Sequence, residues 1–455
     1  WAVARDDQGP VHLNLPFREP LLAAQMTTDS EGLPEGLPES LLESLLETVT
    51  KPHLDVHSQP RSASPAALNE FRALVDQTRG VIVCGPDTGG RVAANSVRRL
   101  AHQLGWPVLA DPLSGLRSIA DDHVIDAYDV LLRDQGFVAA HLPDVIVRFG
   151  ALPASKPLTR FLAGARQATN IVIADGDWPD PNHAGGMFVR AHPQVFCEQA
   201  STALGEHWAA QRTDALDWTR QWSSASQSLR QELNDLLASA DPRFTGRVAA
   251  TLASLLSPDS LLTVGNSMPI RDLDTWVATF DSDVVANRGA NGIDGVLSTA
   301  LGAAQTATRP NYLYLGDQSL LHDAGALTSS LARNAPLRIV VANDDGGGIF
   351  EQLPQQRLGE VFERYFAAPH GHSLAALASA AGLASEKCAS SADLPAALAA
   401  LNNVAGTALV EVSTDRDLDR QLRAELPQQA LARVLGGAAV PHADQYTQDR
   451  KDVPS

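Results

Sequence analysis

Tyr312-Leu313-Tyr314-Leu315-Gly316-Asp317-Gln318-Ser319, followed by Leu337-Arg338-Ile339-Val340-Val341-Ala342-Asn343-Asp344-Asp345-Gly346-Gly347-Gly348, decides how this chain reads. Each stretch is a short, largely apolar run that stops at a polar, turn-forming segment. Such runs, alternating with helical stretches, indicate the buried strands of a parallel α/β sheet. Ligands of open α/β sheets bind beyond the carboxyl ends of the strands. Asp317 alone reads equally well as the N-cap of a helix expected over 320–331, and 343–348 alone as a tight turn. Together they bring two carboxylates and flexible glycine backbone to one place. That set of hard oxygen donors suits Mg²⁺, which binds through a few protein oxygens plus substrate phosphates. A helix N-terminus after Asp317 would add backbone N–H groups for an anion. The expected ligand is a magnesium-bound diphosphate.

Working outward, further strands are expected over 261–264, 283–286 and 408–412, which completes one α/β region. An earlier region has strands over 80–85, 107–111, 145–150 and 170–175 and a helix over 92–104. A polar helical stretch over 214–240 links the two. Residues 11–16 read as a lone strand ending at a proline, and 27–65 turn acidic and rich in proline and serine, with a short helix over 41–46. The tail over 440–455 is polar.

A third cluster is Gly265-Asn266-Ser267-Met268-Pro269-Ile270-Arg271-Asp272, followed by Asn287-Arg288-Gly289-Ala290-Asn291-Gly292-Ile293-Asp294-Gly295. Each segment places an arginine just after a strand. One alone reads as a solvated charge. Two beside an anion site suggest carboxylate recognition by bidentate forks. Gly85-Pro86-Asp87-Thr88-Gly89-Gly90 lacks the G-x-G-x-x-G spacing of a dinucleotide loop and reads as a strand-to-helix turn. His322 and His370 read either as acid–base groups or as hydrogen-bonded structural residues.

The bulk properties set bounds. A chain of 455 residues is too long for one ordinary core. Its net charge of -18 argues against a nucleic-acid partner and requires local cations for any anionic substrate. No stretch approaches ~18 uninterrupted apolar residues, so no membrane span is expected. No signal peptide is evident. Three scattered cysteines show no metal spacing and fit a reducing cytoplasm. The first residue is Trp1, so a segment upstream is expected.

With Gly346 to Pro354 (Ile349-Phe350-Glu351-Gln352-Leu353 within it) and Ala368-Pro369-His370-Gly371, these stretches resemble the succinyl-enolpyruvyl-hydroxycyclohexene-carboxylate synthase family of thiamine-diphosphate enzymes. The likeness runs from about Gly9 to Leu435. It implies an α/β thiamine-diphosphate-binding fold. Residues 1–22 would be the remnant of a pyrimidine-binding domain, 23–65 an acidic linker, 66–222 the central domain, 223–439 the diphosphate-binding domain and 440–455 a tail. The glutamate that serves the aminopyrimidine ring would lie outside the chain, so the chain alone is expected not to turn over.

The resemblance also implies roles for single residues. Asp317, Asp344 and the Gly346 carbonyl would hold Mg²⁺ or Mn²⁺. Gly316, Gln318, Ser319 and Gly347 would hold the diphosphate. Ile293 would be the apolar wedge, and Ile349, Phe350 and Leu353 the apolar wall. Ser267, Arg271, Arg288 and, more weakly, Lys156 would bind substrate. Gln318 stands where the wider superfamily has glycine, and Asp344 where much of it has asparagine. The implied reaction is decarboxylation of 2-oxoglutarate and conjugate addition of the remaining four-carbon unit to isochorismate, in a cytoplasmic homodimer or homotetramer. The alternatives are another carboligase, of the acetohydroxyacid synthase type, or a non-catalytic α/β protein.

Overall fold

Gly80–Cys84 is buried at every position and forms β1 of the computed structural model. The structure describes residues 59–436 apart from 78, 177, 206, 207, 209–212 and 307, together with Asn14 and Pro16. The strand expected over 11–16, the helix expected over 41–46 and the tail over 440–455 lie outside the described residues, as do nearly all of the segments 1–22 and 23–65.

Around β1 run β2 (Val108–Ala110), β3 (Val124–Ile125), β4 (Val145–Phe149), β5 (Thr169–Ala174) and β6 (Met187–Arg190). They form a six-stranded sheet in the order β3-β2-β1-β4-β5-β6. The second sheet holds β7 (Leu261–Val264), β8 (Asp283–Val285), β9 (Asn311–Gly316), β10 (Leu337–Asn343), β11 (Ala384–Cys388) and β12 (Ala408–Ser413). Its order is β11-β12-β10-β9-β7-β8. All pairings within both sheets are parallel. Both sheets are therefore covered by helices on their two faces, which explains the near-continuous apolar runs. Among the described residues no helix is long and apolar enough to cross a membrane.

Five helices frame the functional regions: α1 (Gly90–Leu104), α2 (Thr213–Ser239), α3 (Met268–Trp276), α4 (Asp317–His322) and α5 (Arg416–Leu435). The stretch expected to be a polar link is α2, which buries Trp218, Trp222, Leu229 and Leu233 against the first sheet's core. It runs unbroken through 222 and 223, where a domain border was expected. The single helix expected over 320–331 is instead three pieces. α4 ends at His322, a 3₁₀ turn covers Ala324–Thr328, and a short helix covers Ser330–Asn334. The cause is polar and comes from the preceding helix as well as from the segment itself. Asp323 turns away to accept the N–H and hydroxyl of Ser298 (2.7 and 2.9 Å), and Ser329 caps the next helix through the Ala332 N–H.

The two sheets are cross-braced. Arg117, in the connection from β2 to β3, is 1% exposed. It donates to the Asp274 carboxylate (2.9 Å) and to the carbonyls of Asp274, Val277 and Ala278 around the end of α3. Tyr128 donates to the same carboxylate at 2.9 Å.

Each sheet has a switch point where strand order reverses, and only one is open. In the first sheet it lies between β1 and β4. A Cβ on Gly85 would stand 1.8 Å from the Ala151 carbonyl, and one on Gly150 would stand 2.1 Å from the Pro86 carbonyl. The two loops fill each other's space, so the 85–90 segment is a strand-to-helix turn with no room for a nucleotide. In the second sheet the order reverses between β7 and β9, and a cavity opens there.

Candidate active site

The cavity has a volume of about 270 Å³ and is lined by residues that follow β7, β9 and β10. Asp317 opens α4 directly after β9 and is 2% exposed. Its Oδ1 accepts the Gln318 N–H (2.6 Å), and its Oδ2 accepts the Gly346 N–H (2.8 Å) and meets His370 Nε2 at 3.0 Å. His370 Nδ1 accepts the His372 N–H (2.9 Å), which places the ring proton on Nε2, toward Asp317. His370 is thus an orienting group for that carboxylate. The Gln318 N–H, expected to be free for an anion, is already taken by Asp317. With only six residues in α4, little dipole remains to assist.

The loop after β10 is built around its glycines. Gly346 has φ +151°, and a Cβ there would lie 2.4 Å from the Ala367 carbonyl. A Cβ on Gly348 would lie 2.0 Å from Asp344 Oδ2. Asp345 pins the loop from outside by accepting the N–H groups of His370 (3.0 Å) and Gly371 (2.7 Å). Asp344 faces the cavity and accepts no hydrogen bond from a described residue. Burial, and next the charges of Asp317 and Asp419, push its carboxyl well above the ordinary aspartate range. Burial also raises Asp317, against the Gly346 and His370 hydrogen bonds.

Two buried carboxylates that oppose each other's ionisation, beside a glycine loop, fit a divalent cation. Without metal, the raised Asp344 favours the fold below the ordinary value of 3.8, and this contribution is lost as pH rises through the elevated value. Asp344→Asn is therefore expected to raise the melting temperature of the metal-free chain at pH 7, by roughly 1 °C per kcal/mol relieved in a chain of this length. The gain should shrink at pH 5, and the amide oxygen should keep cofactor binding close to that of the parent. Scanning calorimetry at both pH values checks this; a lower melting temperature at pH 7 would exclude the electrostatic reading.

Ser267, Ile293, Gly316, Gln318, Ser319, Gly347, Ile349 and Phe350 also line the cavity. Ser319 Oγ donates to the Ile293 carbonyl (2.7 Å), and Asn266 Nδ2 donates to the Gly292 carbonyl (3.0 Å), so the 287–295 loop is held against β7 and α4. Leu353 is half-buried, closes a turn on the Phe350 carbonyl (2.9 Å) and does not line the cavity. His322 ends α4, exposed at the cavity wall.

The three cations expected for substrate, Arg271, Arg288 and Lys156, lie outside the cavity's lining, which instead takes Arg420 and Arg423 from α5. Arg271 turns back on its own helix start and donates to the carbonyls of Asn266 (3.0 Å) and Ser267 (2.6 Å). Burial, and next the charge of Arg288, make its charged form harder to hold. Arg288 feels burial first and Asp111 second. Its Nη1 is buried and has no hydrogen-bond partner. Lys156 is exposed at the start of the helix Lys156–Gly164 and does not line the cavity.

The back wall comes from residues the sequence did not single out. Thr245 donates its N–H (2.8 Å) and hydroxyl (2.5 Å) to Asp419 of α5. Arg423, one turn on, is bidentate on Asp272, with 3.0 Å to Oδ2. In sequence Asp272 is only the neighbour of Arg271. Asp419 and Arg423 look in sequence like ordinary charges on a polar helix.

Two family models match. One is described as the middle domain of thiamine pyrophosphate, over residues 43–259, and the other as the thiamine pyrophosphate enzyme C-terminal TPP binding domain, over 273–412. The chain is 39% identical over 379 residues to the 2-succinyl-5-enolpyruvyl-6-hydroxy-3-cyclohexene-1-carboxylate synthase of Chloroflexus aurantiacus, covering 81% of this chain and 61% of that one. It is 40% identical over 366 residues to the protein of that name from Geobacillus thermodenitrificans, covering 79% and 59%. To the one from Bacillus pumilus it is 34% identical over 433 residues, covering 90% and 68%. The chain thus spans about three-fifths of the length of the first two of these curated relatives.

Proposed function

This chain belongs to the 2-succinyl-5-enolpyruvyl-6-hydroxy-3-cyclohexene-1-carboxylate synthase family of thiamine-diphosphate enzymes, and from that premise we propose that it serves the decarboxylation of 2-oxoglutarate and the conjugate addition of the remaining four-carbon unit to isochorismate. The observation that carries this reading is the meeting of Asp317, Asp344 and the Gly346 loop in one cavity at the open switch point.

Asp317, Asp344 and Gly346 would hold Mg²⁺ or Mn²⁺. Gly316, Gln318, Ser319 and Gly347 would face the diphosphate, with Ile293, Ile349 and Phe350 as the apolar surround and Leu353 outside the lining. When bound, thiamine diphosphate supplies the electron sink for loss of CO₂ from a 2-oxo acid. The chain's own residues bind and orient. Ser267 presents a hydroxyl to substrate, and Arg271 and Arg288 neutralise substrate carboxylates, with Lys156 at the outer rim. The unpartnered Arg288 Nη1 supports this, because a buried donor without an acceptor is costly until a ligand satisfies it.

Both substrates are polyanions, which favours this family's reaction over an acetohydroxyacid synthase type acting on pyruvate. The test, on the chain supplemented with the pyrimidine-binding domain of a relative, is product formation from 2-oxoglutarate plus isochorismate against pyruvate; preference for pyruvate would overturn the proposal. Arg288→Ala and Arg271→Ala are each expected to lower kcat/KM for at least one substrate by roughly 2–4 kcal/mol of transition-state stabilisation. Steady-state kinetics that moved less than a few-fold for both substrates would return these arginines to a structural role. A cytoplasmic homodimer or homotetramer is part of the same proposal. Phe350, Leu358, Val361 and Tyr365 lie exposed along the segment after the glycine loop, an apolar face that a second copy would cover.

A further inference from the structure

A second group of metal-type ligands lies on the edge of the first sheet, in residues that the proposed reaction does not use. His102 stands in the last turn of α1, and Asp121 and His123 stand in the connection that enters β3. One ligand atom from each lies within 4.8 Å of the other two. His102 Nε2 is 3.0 Å from Asp121 Oδ2, His123 Nδ1 is 3.8 Å from Asp121 Oδ1, and the two imidazole rings are 3.9 Å apart. In a tetrahedral zinc site with bonds of about 2.0–2.2 Å, neighbouring ligand atoms stand roughly 3.3–3.6 Å apart. The two contacts, made to different oxygens of Asp121, fall on either side of that range, and all three ligand atoms lie within 4.8 Å, so side-chain rotations would bring them around one ion.

A second observation comes from His123 itself. Both of its ring nitrogens are buried, and neither has a hydrogen-bond partner among the described residues. Every neutral imidazole carries one N–H and one lone pair, so this ring leaves both a donor and an acceptor unused, at a cost of about 1–3 kcal/mol per buried group. An ion at the edges of the two rings, beside Asp121, would take up the lone pair. Burial, and next the neighbouring His102, push His123 down to about 4, which leaves it uncharged at neutral pH. Asp122 adds a nearby negative charge, and Arg98 interacts with Asp121 from the other side.

We propose that His102, Asp121 and His123 form a zinc-type site, with water completing the coordination. Two imidazoles and one carboxylate select a borderline transition metal, whereas the oxygen-only set of Asp317 and Asp344 selects Mg²⁺. The ion would staple α1 to the two-residue edge strand β3. It would also anchor the connection that carries Arg117, and so the brace between the sheets.

The test is a Co²⁺ titration of the untagged, chelator-stripped chain, with Mg²⁺ in excess to occupy oxygen sites. One equivalent of Co²⁺ is expected to develop the visible bands of a tetrahedral nitrogen and oxygen site. Zn²⁺ should displace it and raise the melting temperature. His102 is 52% exposed in its side chain, so His102→Ala should keep the parent's circular dichroism. It should bind Co²⁺ at least tenfold more weakly, since even the outer partners of metal ligands are worth ~10–100-fold. His123→Gln should lose the bands as well. Absence of tetrahedral bands in the parent, or binding by His102→Ala as tight as the parent's, overturns the proposal and leaves His102 and Asp121 as an ion pair only.

Discussion

Replacing Asp317 with alanine is expected to weaken Mg²⁺-dependent binding of thiamine diphosphate by at least roughly a hundredfold, beyond the ~10–100-fold that outer partners of a metal ligand are worth. The carboxylate would hold the metal, and it also organises the loops on either side. It receives the Gln318 and Gly346 N–H groups and the His370 ring. Alanine removes the cation's anchor and leaves three donors without their acceptor. Asp317→Asn should fall nearly as far, because its NH₂ group would face an N–H where an oxygen now stands. Calorimetric titration of the cofactor with and without Mg²⁺, on variants whose circular dichroism matches the parent, gives the answer. Parent-like affinity in Asp317→Ala would remove this residue from the metal site.

The second large effect concerns stability. Arg117→Ala is expected to cost about 3–5 kcal/mol, the range for breaking a buried ion pair by removing one partner. The Arg117 side chain is fully buried and that of Asp274 is 3% exposed. Without the guanidinium, the carbonyls around Val277 also lose their donor. Burial already pushes Asp274 well above the ordinary range, with Arg117 the main opposing charge. The double variant Arg117→Ala/Asp274→Asn should recover part of the loss, since the amide oxygen still accepts from Tyr128. Urea denaturation of the parent, both single variants and the double variant measures this. A loss below about 1 kcal/mol for Arg117→Ala would mean that the brace contributes little.

The central strands were legible because parallel strands covered on both faces are near-continuous apolar runs, as 80–84 and 339–342 are. The strands missed were at or near edges. β11 is Ala-Ser-Glu-Lys-Cys, with Glu386 and Lys387 exposed, and β3 is two residues long. The break after His322 was hidden because its cause, Ser298 bound to Asp323, lies 25 positions away. At the site, Asp317 and Asp344 were readable as carboxylates at strand ends. Arg271 was placed near the site but not its direction, because its contacts with backbone carbonyls leave no mark in residue types. Asp419 and Arg423 were invisible for a related reason: polar residues on a helix look alike until the fold shows what they face.

The pairing of Thr245 with Arg423 spans 178 positions, so the back wall of the cavity joins distant parts of the chain. On a ribosome adding about 5–20 residues per second, the second partner emerges roughly 9–36 s after the first. Once Asp344 has emerged, 79 positions before Arg423 (roughly 4–16 s), β7 to β10 can assemble, and Asp272 and Asp344 stand beside a sheet still lacking β11 and β12, with neither Arg423 nor Arg416 yet made. This cavity in a nascent chain is thus a half-built, electronegative crevice. A free divalent cation encountered during synthesis would meet it before α5 closes the wall.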